Sequence, residues 1–124
     1  MNDVQSLTDI HTFVDAFYAA VRHDDLLGPV FLARFGEGGW TAHLERMYTF
    51  WNTLLFHEPG YKGSPFEKHV SLPVGNQHFD RWVALFGETL DARFAGPVTE
   101  DAKSRARILG LTFASKLAYL RENG

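Results

Sequence analysis

With 124 residues, 45% of them hydrophobic and 22% charged, the chain has the size and make-up of one globular domain, and no stretch approaches the roughly 18 apolar residues that cross a bilayer. Its net charge of -3 gives no basic footprint for nucleic acid or an anionic membrane, and the lack of cysteine excludes disulfides, thiolate metal sites, iron–sulfur clusters and Cys-x-x-Cys-His attachment of a c-type haem. The load of 11 Phe, 4 Tyr and 3 Trp points to a thick core or to the lining of something large and flat.

The first residues, MNDVQSLTDI, lack the basic and then apolar layout of a secretion signal, so a cytoplasmic location is expected. From Leu7 to His23, Ile10, Phe13, Val14, Phe17, Tyr18 and Val21 recur at helical spacing and predict one amphipathic helix, which Ser6 or Thr8 can cap. In DDLLGPVF the pattern stops: Pro29 disfavours helical geometry at Gly28, which predicts a bend and a new short turn. After GEGG at 36–39, Trp40, His43, Leu44, Met47, Phe50, Trp51, Leu54 and Leu55 predict a second helix of about four turns.

The stretch HEPGYKGSP forbids regular structure, and only a short turn around Phe66 to His69 is expected before SLPVGNQ breaks the chain again. A third helix is predicted from about Gln77 to Phe94, with Phe79, Trp82, Val83, Leu85, Phe86, Thr89 and Leu90 inward. The last helix follows AGPVTED, with Thr99 as its expected cap and Glu100 and Asp101 in its first turn, and it carries Ala102, Ala106, Leu109, Phe113, Lys116, Leu117 and Leu120. No segment alternates and none repeats, so residues 1–124 read as a single all-α domain with four main helices.

HEPGY begins like the zinc-protease His-Glu-x-x-His motif, but its fifth residue is Tyr61 and Pro59-Gly60 prevents the shared helical face that motif requires. There is no dinucleotide fingerprint, Walker loop or nucleophile elbow. Six histidines remain, at 11, 23, 43, 57, 69 and 78. Taken singly, each is more often a surface or satisfied core residue than a ligand. His43, Met47 and Trp51, however, lie at i, i+4 and i+8 and form one wall. His69 arrives from a separate element, so two imidazoles can face each other across a flat gap such as a haem fills.

The segments AFYAAVRHDDLLGPVF, WTAHLERMYTFW, YKGSPFEKHVSLP and HFDRWVALFGETL together resemble the group III truncated haemoglobins, small bacterial globins with a two-over-two helical sandwich around haem b. The paired glycines of the other truncated groups are only partly echoed by Gly38-Gly39. The resemblance implies that His69 is the proximal iron ligand, and that Tyr18, Trp82 and His43 occupy the distal side. Phe31 matches the phenylalanine on the porphyrin edge, and Met47 an apolar position over the distal pocket. Trp51 belongs to the same cofactor wall, and Arg46 and Lys68 are placed to pair with propionates. For His43 three roles stay open: a gate turned to solvent or a propionate, a donor to the ligand, or a sixth iron ligand.

The function this resemblance implies is that of a haem protein binding dioxygen, nitric oxide or carbon monoxide at an open iron position, as a monomer or weak dimer served by an unknown reductase. A phenol and an indole in an apolar pocket stabilise dioxygen, which takes on partial charge when bound, more than neutral carbon monoxide. They favour retention over delivery. Nitric oxide dioxygenase-like or peroxidase-like activity is therefore the expectation, with a gas reservoir or sensor lacking turnover as the alternative. A haem-free helical interaction domain, in which the aromatics are simply core, is the reading from another class.

Overall fold

The computed structural model describes residues 1–36, 38–61 and 74–123. Among the described residues five α-helices succeed one another: α1 Leu7–His23, α2 Leu27–Phe35, α3 Trp40–Phe56, α4 Asn76–Asp91 and α5 Pro97–Asn123. They form the expected two-over-two sandwich. α4 and α5 make the most extensive contact, α1 packs on α3 as the second pair, and α1 also reaches α2 and α4. Among the described residues there is no strand, and no helix is long and apolar enough to cross a membrane.

α1 has the predicted bounds. Ser6 is its N-cap, its hydroxyl accepting from the Asp9 amide at 3.4 Å, and Arg22 and His23 complement the dipole in the last turn. The predicted stripe of Ile10, Phe13, Val14, Phe17, Tyr18 and Val21 is buried. Phe13 and Phe17 meet Phe86 of α4 edge-on, and Trp51 of α3 stacks on Phe86 with centroids 4.8 Å apart. Burial of each such ring is worth roughly 1.5–3 kcal/mol, so this four-ring knot joins three helices at the centre of the fold.

The bend expected at Gly28-Pro29 is instead the first turn of a nine-residue helix. Pro29 lies where an amide has no intrahelical partner, so its missing N–H costs nothing. Asp24 supplies the cap, its carboxylate accepting from the amides of Leu26 at 3.1 Å and Leu27 at 2.9 Å. The same carboxylate pairs with Arg81 of α4 at 2.7 Å. Gly28 lets α2 cross α1 closely, because a Cβ there would lie 2.8 Å from the Arg22 carbonyl oxygen.

α4 starts one residue earlier than expected and stops at Asp91, and Phe94 is buried just beyond it. The start of α5 is a correction. Thr99 does not cap it; the helix begins at Pro97, and Thr99 is fully buried inside the first turn. The cap comes from Asp3, which accepts from the Val98 amide at 2.9 Å, the Thr99 amide at 2.8 Å and the Thr99 hydroxyl at 2.6 Å. Gly96 makes this approach possible: its φ is 148°, and an added Cβ would meet Asp3 at 2.5 Å. Of the residues predicted for α5, Ala102, Ala106 and Leu117 are buried, whereas Lys116 and Leu120 are exposed.

Candidate functional site

The helices line a partly open cavity of about 70 Å³. Its walls are almost entirely carbon. All five helices contribute, with Tyr18 from α1, Phe31 from α2, His43, Met47 and Trp51 from α3, Trp82 from α4 and Leu109 from α5. The i, i+4, i+8 series of α3 thus forms one wall, as its spacing predicts.

Tyr18 is buried at 4% exposure. Burial raises its hydroxyl pKa far above the usual phenol value, against the opposing pull of a hydrogen bond from Trp82. The Trp82 indole can act only as a donor, so its effect on Tyr18 is that of an N–H on the phenolic oxygen side. Trp82 is held by stacking on Phe86, with centroids 5.8 Å apart, and by an edge contact with Phe17 at 5.5 Å.

His43 is buried among rings. It meets Tyr18 edge-on at 4.8 Å and lies 4.4 Å from Phe35 and 6.1 Å from Phe31. Phe31 stacks in turn on Trp40, over which the Arg22 guanidinium sits at 5.0 Å. Trp40 and Phe35 therefore complete the surroundings of His43, although the sequence marks Trp40 only as part of a helical stripe and does not mark Phe35. Arg46 is exposed on α3, and its charge acts on Tyr61. Burial raises the Tyr61 pKa while Arg46 opposes it, and the Tyr61 hydroxyl is buried without a hydrogen-bond partner among the described residues.

The other histidines divide cleanly. His11 stacks on Tyr48 at 3.8 Å, on the outer side of the α1–α3 contact, where Tyr48 also hydrogen-bonds Asp15. His23 donates Nδ1–H to the Ala19 carbonyl at 2.9 Å, and His57 ends α3 in the left-handed conformation. His78, which spacing alone does not distinguish from a core residue, lines the cavity with His43. His69 and Lys68, with the turn expected at Phe66 to His69, lie outside the described residues.

A helical fold with an aromatic-walled cavity between its layers has clear relatives. The family model of bacterial-like globins matches residues 4–112. The chain belongs to that family, as a group III truncated haemoglobin. The globin is 32% identical over 111 residues to the group 3 truncated hemoglobin ctb of Campylobacter jejuni, with 87% of each chain covered. It also superposes on the crystal structure of the group III truncated hemoglobin from Campylobacter jejuni with a TM-score of 0.87, covering 94% of this globin and 95% of that chain at 29% identity.

Family membership implies a haem-binding globin. The cavity fits such a group chemically: its carbon walls suit a flat macrocycle, and its few polar groups converge from α1, α3 and α4.

Proposed function

We propose that this globin holds haem b through His69 and binds dioxygen, nitric oxide or carbon monoxide at an open iron position facing Tyr18, Trp82 and His43. One observation carries the reading: Tyr18, Trp82 and His43 line the same apolar cavity, and burial holds the proton on the Tyr18 hydroxyl, so a phenol that keeps its hydrogen stands there beside an indole N–H. Haem b bound there supplies an iron that takes a diatomic gas and exchanges single electrons.

The residues do the rest. Tyr18 keeps its proton at any physiological pH, because burial disfavours the phenolate, so it offers a hydrogen to a ligand with anionic character. Trp82 strengthens that donor by polarising the phenol. His43, packed between Tyr18 and Phe35, closes the same side, and Phe31, Met47 and Trp51 exclude water from it. Arg46 and Lys68 are the cations proposed for the propionates.

Such a donor chain retains dioxygen better than a carrier requires, so the function proposed is redox chemistry on dioxygen, nitric oxide or peroxide, with a reductase as partner. The test is a cycle of Tyr18→Phe, Trp82→Phe and the double variant, read as the dioxygen dissociation rate. Each single change is expected to speed release about tenfold, as loss of a charge-assisted hydrogen bond does. The double variant should fall short of the product of the two effects, because Trp82 acts partly through Tyr18. Unchanged rates overturn the donor assignment. Nitric oxide or peroxide turnover no faster than that of free haem reduces the function to gas binding without chemistry.

A further inference from the structure

His78 is the polar cavity residue with no part in the proposed gas chemistry. It is the third residue of α4 and lies one turn before Trp82 on the same face, so His78, Trp82 and Phe86 succeed one another along the helix. Its ring is tied down at one nitrogen: the Gly75 amide donates to Nδ1 at 3.0 Å, while the Gly75 carbonyl accepts from the His78 amide at 3.0 Å.

A ring nitrogen that accepts a hydrogen bond carries no hydrogen of its own, so the neutral imidazole holds its hydrogen on Nε2. Iron ligation through Nε2 needs the opposite tautomer. That tautomer would set an Nδ1–H against the Gly75 N–H and break the contact that begins α4. His78 is therefore built as a donor and not as a ligand, although it shares the cavity with His43.

The walls around it offer carbon. A haem has two places that accept a hydrogen bond, the carboxylates on its rim and whatever binds its iron. Tyr18, Trp82 and His43 already serve the second. His78 is half-exposed at the N-terminal end of α4, whose first turn contains no acidic residue and whose dipole favours a negative group.

We propose that His78 is a positioning residue that fixes the haem in its pocket by donating Nε2–H to a rim carboxylate. This rests on the haem reading. Its consequence is that His78 sets how fast haem is lost and leaves gas release unchanged.

The test loads wild type and His78 variants with hemin, and in parallel with the iron protoporphyrin dimethyl ester, which has no free carboxylate. The readout is transfer to an excess of a haem-depleted acceptor globin. His78→Leu is expected to lose hemin about tenfold faster. His78→Gln, which can both accept from Gly75 and donate, should match wild type. His78→Glu separates the two roles: a glutamate at this position still accepts from the Gly75 amide and keeps the cap, but sets a carboxylate against a carboxylate. It should lose hemin at least as fast as the leucine variant, although its apoprotein melts like wild type. With the diester, these differences should disappear. Wild-type retention by His78→Glu, or an unchanged spread with the diester, overturns the proposal, as does altered dioxygen release with unaltered haem loss. A wild type that takes up no hemin refutes the haem reading itself, an outcome distinct from all of these.

Discussion

Replacing Asp3 with alanine tests how α5 is anchored. Asp3 accepts three hydrogen bonds from the first turn of that helix, at 2.6, 2.8 and 2.9 Å. Loss of a helix cap costs roughly 0.5–2 kcal/mol. Asp3→Ala also strands the hydroxyl of Thr99, which is 0% exposed, and an unsatisfied buried donor adds roughly 1–3 kcal/mol. The expected loss is about 2–4 kcal/mol. For 124 residues, each kcal/mol moves Tm by about 4 °C, so the variant should melt about 8–16 °C below wild type by far-UV circular dichroism.

Asp3→Asn keeps an acceptor oxygen and should recover more than half of the loss. The two variants also differ from wild type in acid. Burial pushes the Asp3 carboxyl upward, but hydrogen bonds from the Thr99 hydroxyl and the Val98, Thr99 and Val4 amides outweigh it and hold the pKa below the usual value. The native fold therefore releases this proton more readily than the unfolded chain does. The stability so gained is complete above about pH 4 and fades as pH falls through the native value, and both variants should show a flatter acid limb. A loss smaller than about 0.5 kcal/mol for Asp3→Ala would refute this account of the anchor.

At high pH the sign reverses. Burial holds the proton on Tyr18, and burial followed by Asp15 and Glu45 pushes Tyr48 up to about 12, so stability present below about pH 10 should drain as pH rises. Tyr18→Phe should shallow that alkaline limb in urea melts, and an unchanged limb would contradict the burial argument. Gly28→Ala gains up to about 1 kcal/mol of helix propensity but puts a methyl group 2.8 Å from the Arg22 carbonyl, an overpacking cost of about 1–3 kcal/mol. A net loss of about 1–2 kcal/mol is expected in denaturant melts, and a gain would show that α1 and α2 separate freely.

Long-period patterns made most of the fold legible in the sequence. The stripes of α1, α3 and α4 bury the knot of Phe13, Phe17, Trp51 and Phe86, and the His43, Met47, Trp51 series forms the cavity wall its spacing implies. What the sequence concealed was non-local. The Gly28-Pro29 pair reads as a breaker, and only the cap from Asp24 and the close crossing of α1 reveal it as a helix start. Thr99 has the chemistry of a cap, but the acceptor that begins α5 lies 96 residues away at Asp3.

Within the site, Tyr18, Trp82, His43 and Phe31 were placed by resemblance and do meet around one cavity. Trp40, Phe35 and Tyr61 look like ordinary core or loop residues because their contacts join different elements. His78 gave no signal either, since a histidine on an apolar helix stripe looks the same whether it packs or donates.

The most direct measurement is the visible spectrum of wild type and His69→Ala, recorded ferric, dithionite-reduced, and reduced under carbon monoxide. A Soret band that shifts on reduction and again with carbon monoxide, and that loses its imidazole-ligated signature in the variant, is the predicted result. No Soret band after hemin is added, or spectra indifferent to His69→Ala, would contradict a haem globin ligated at that residue.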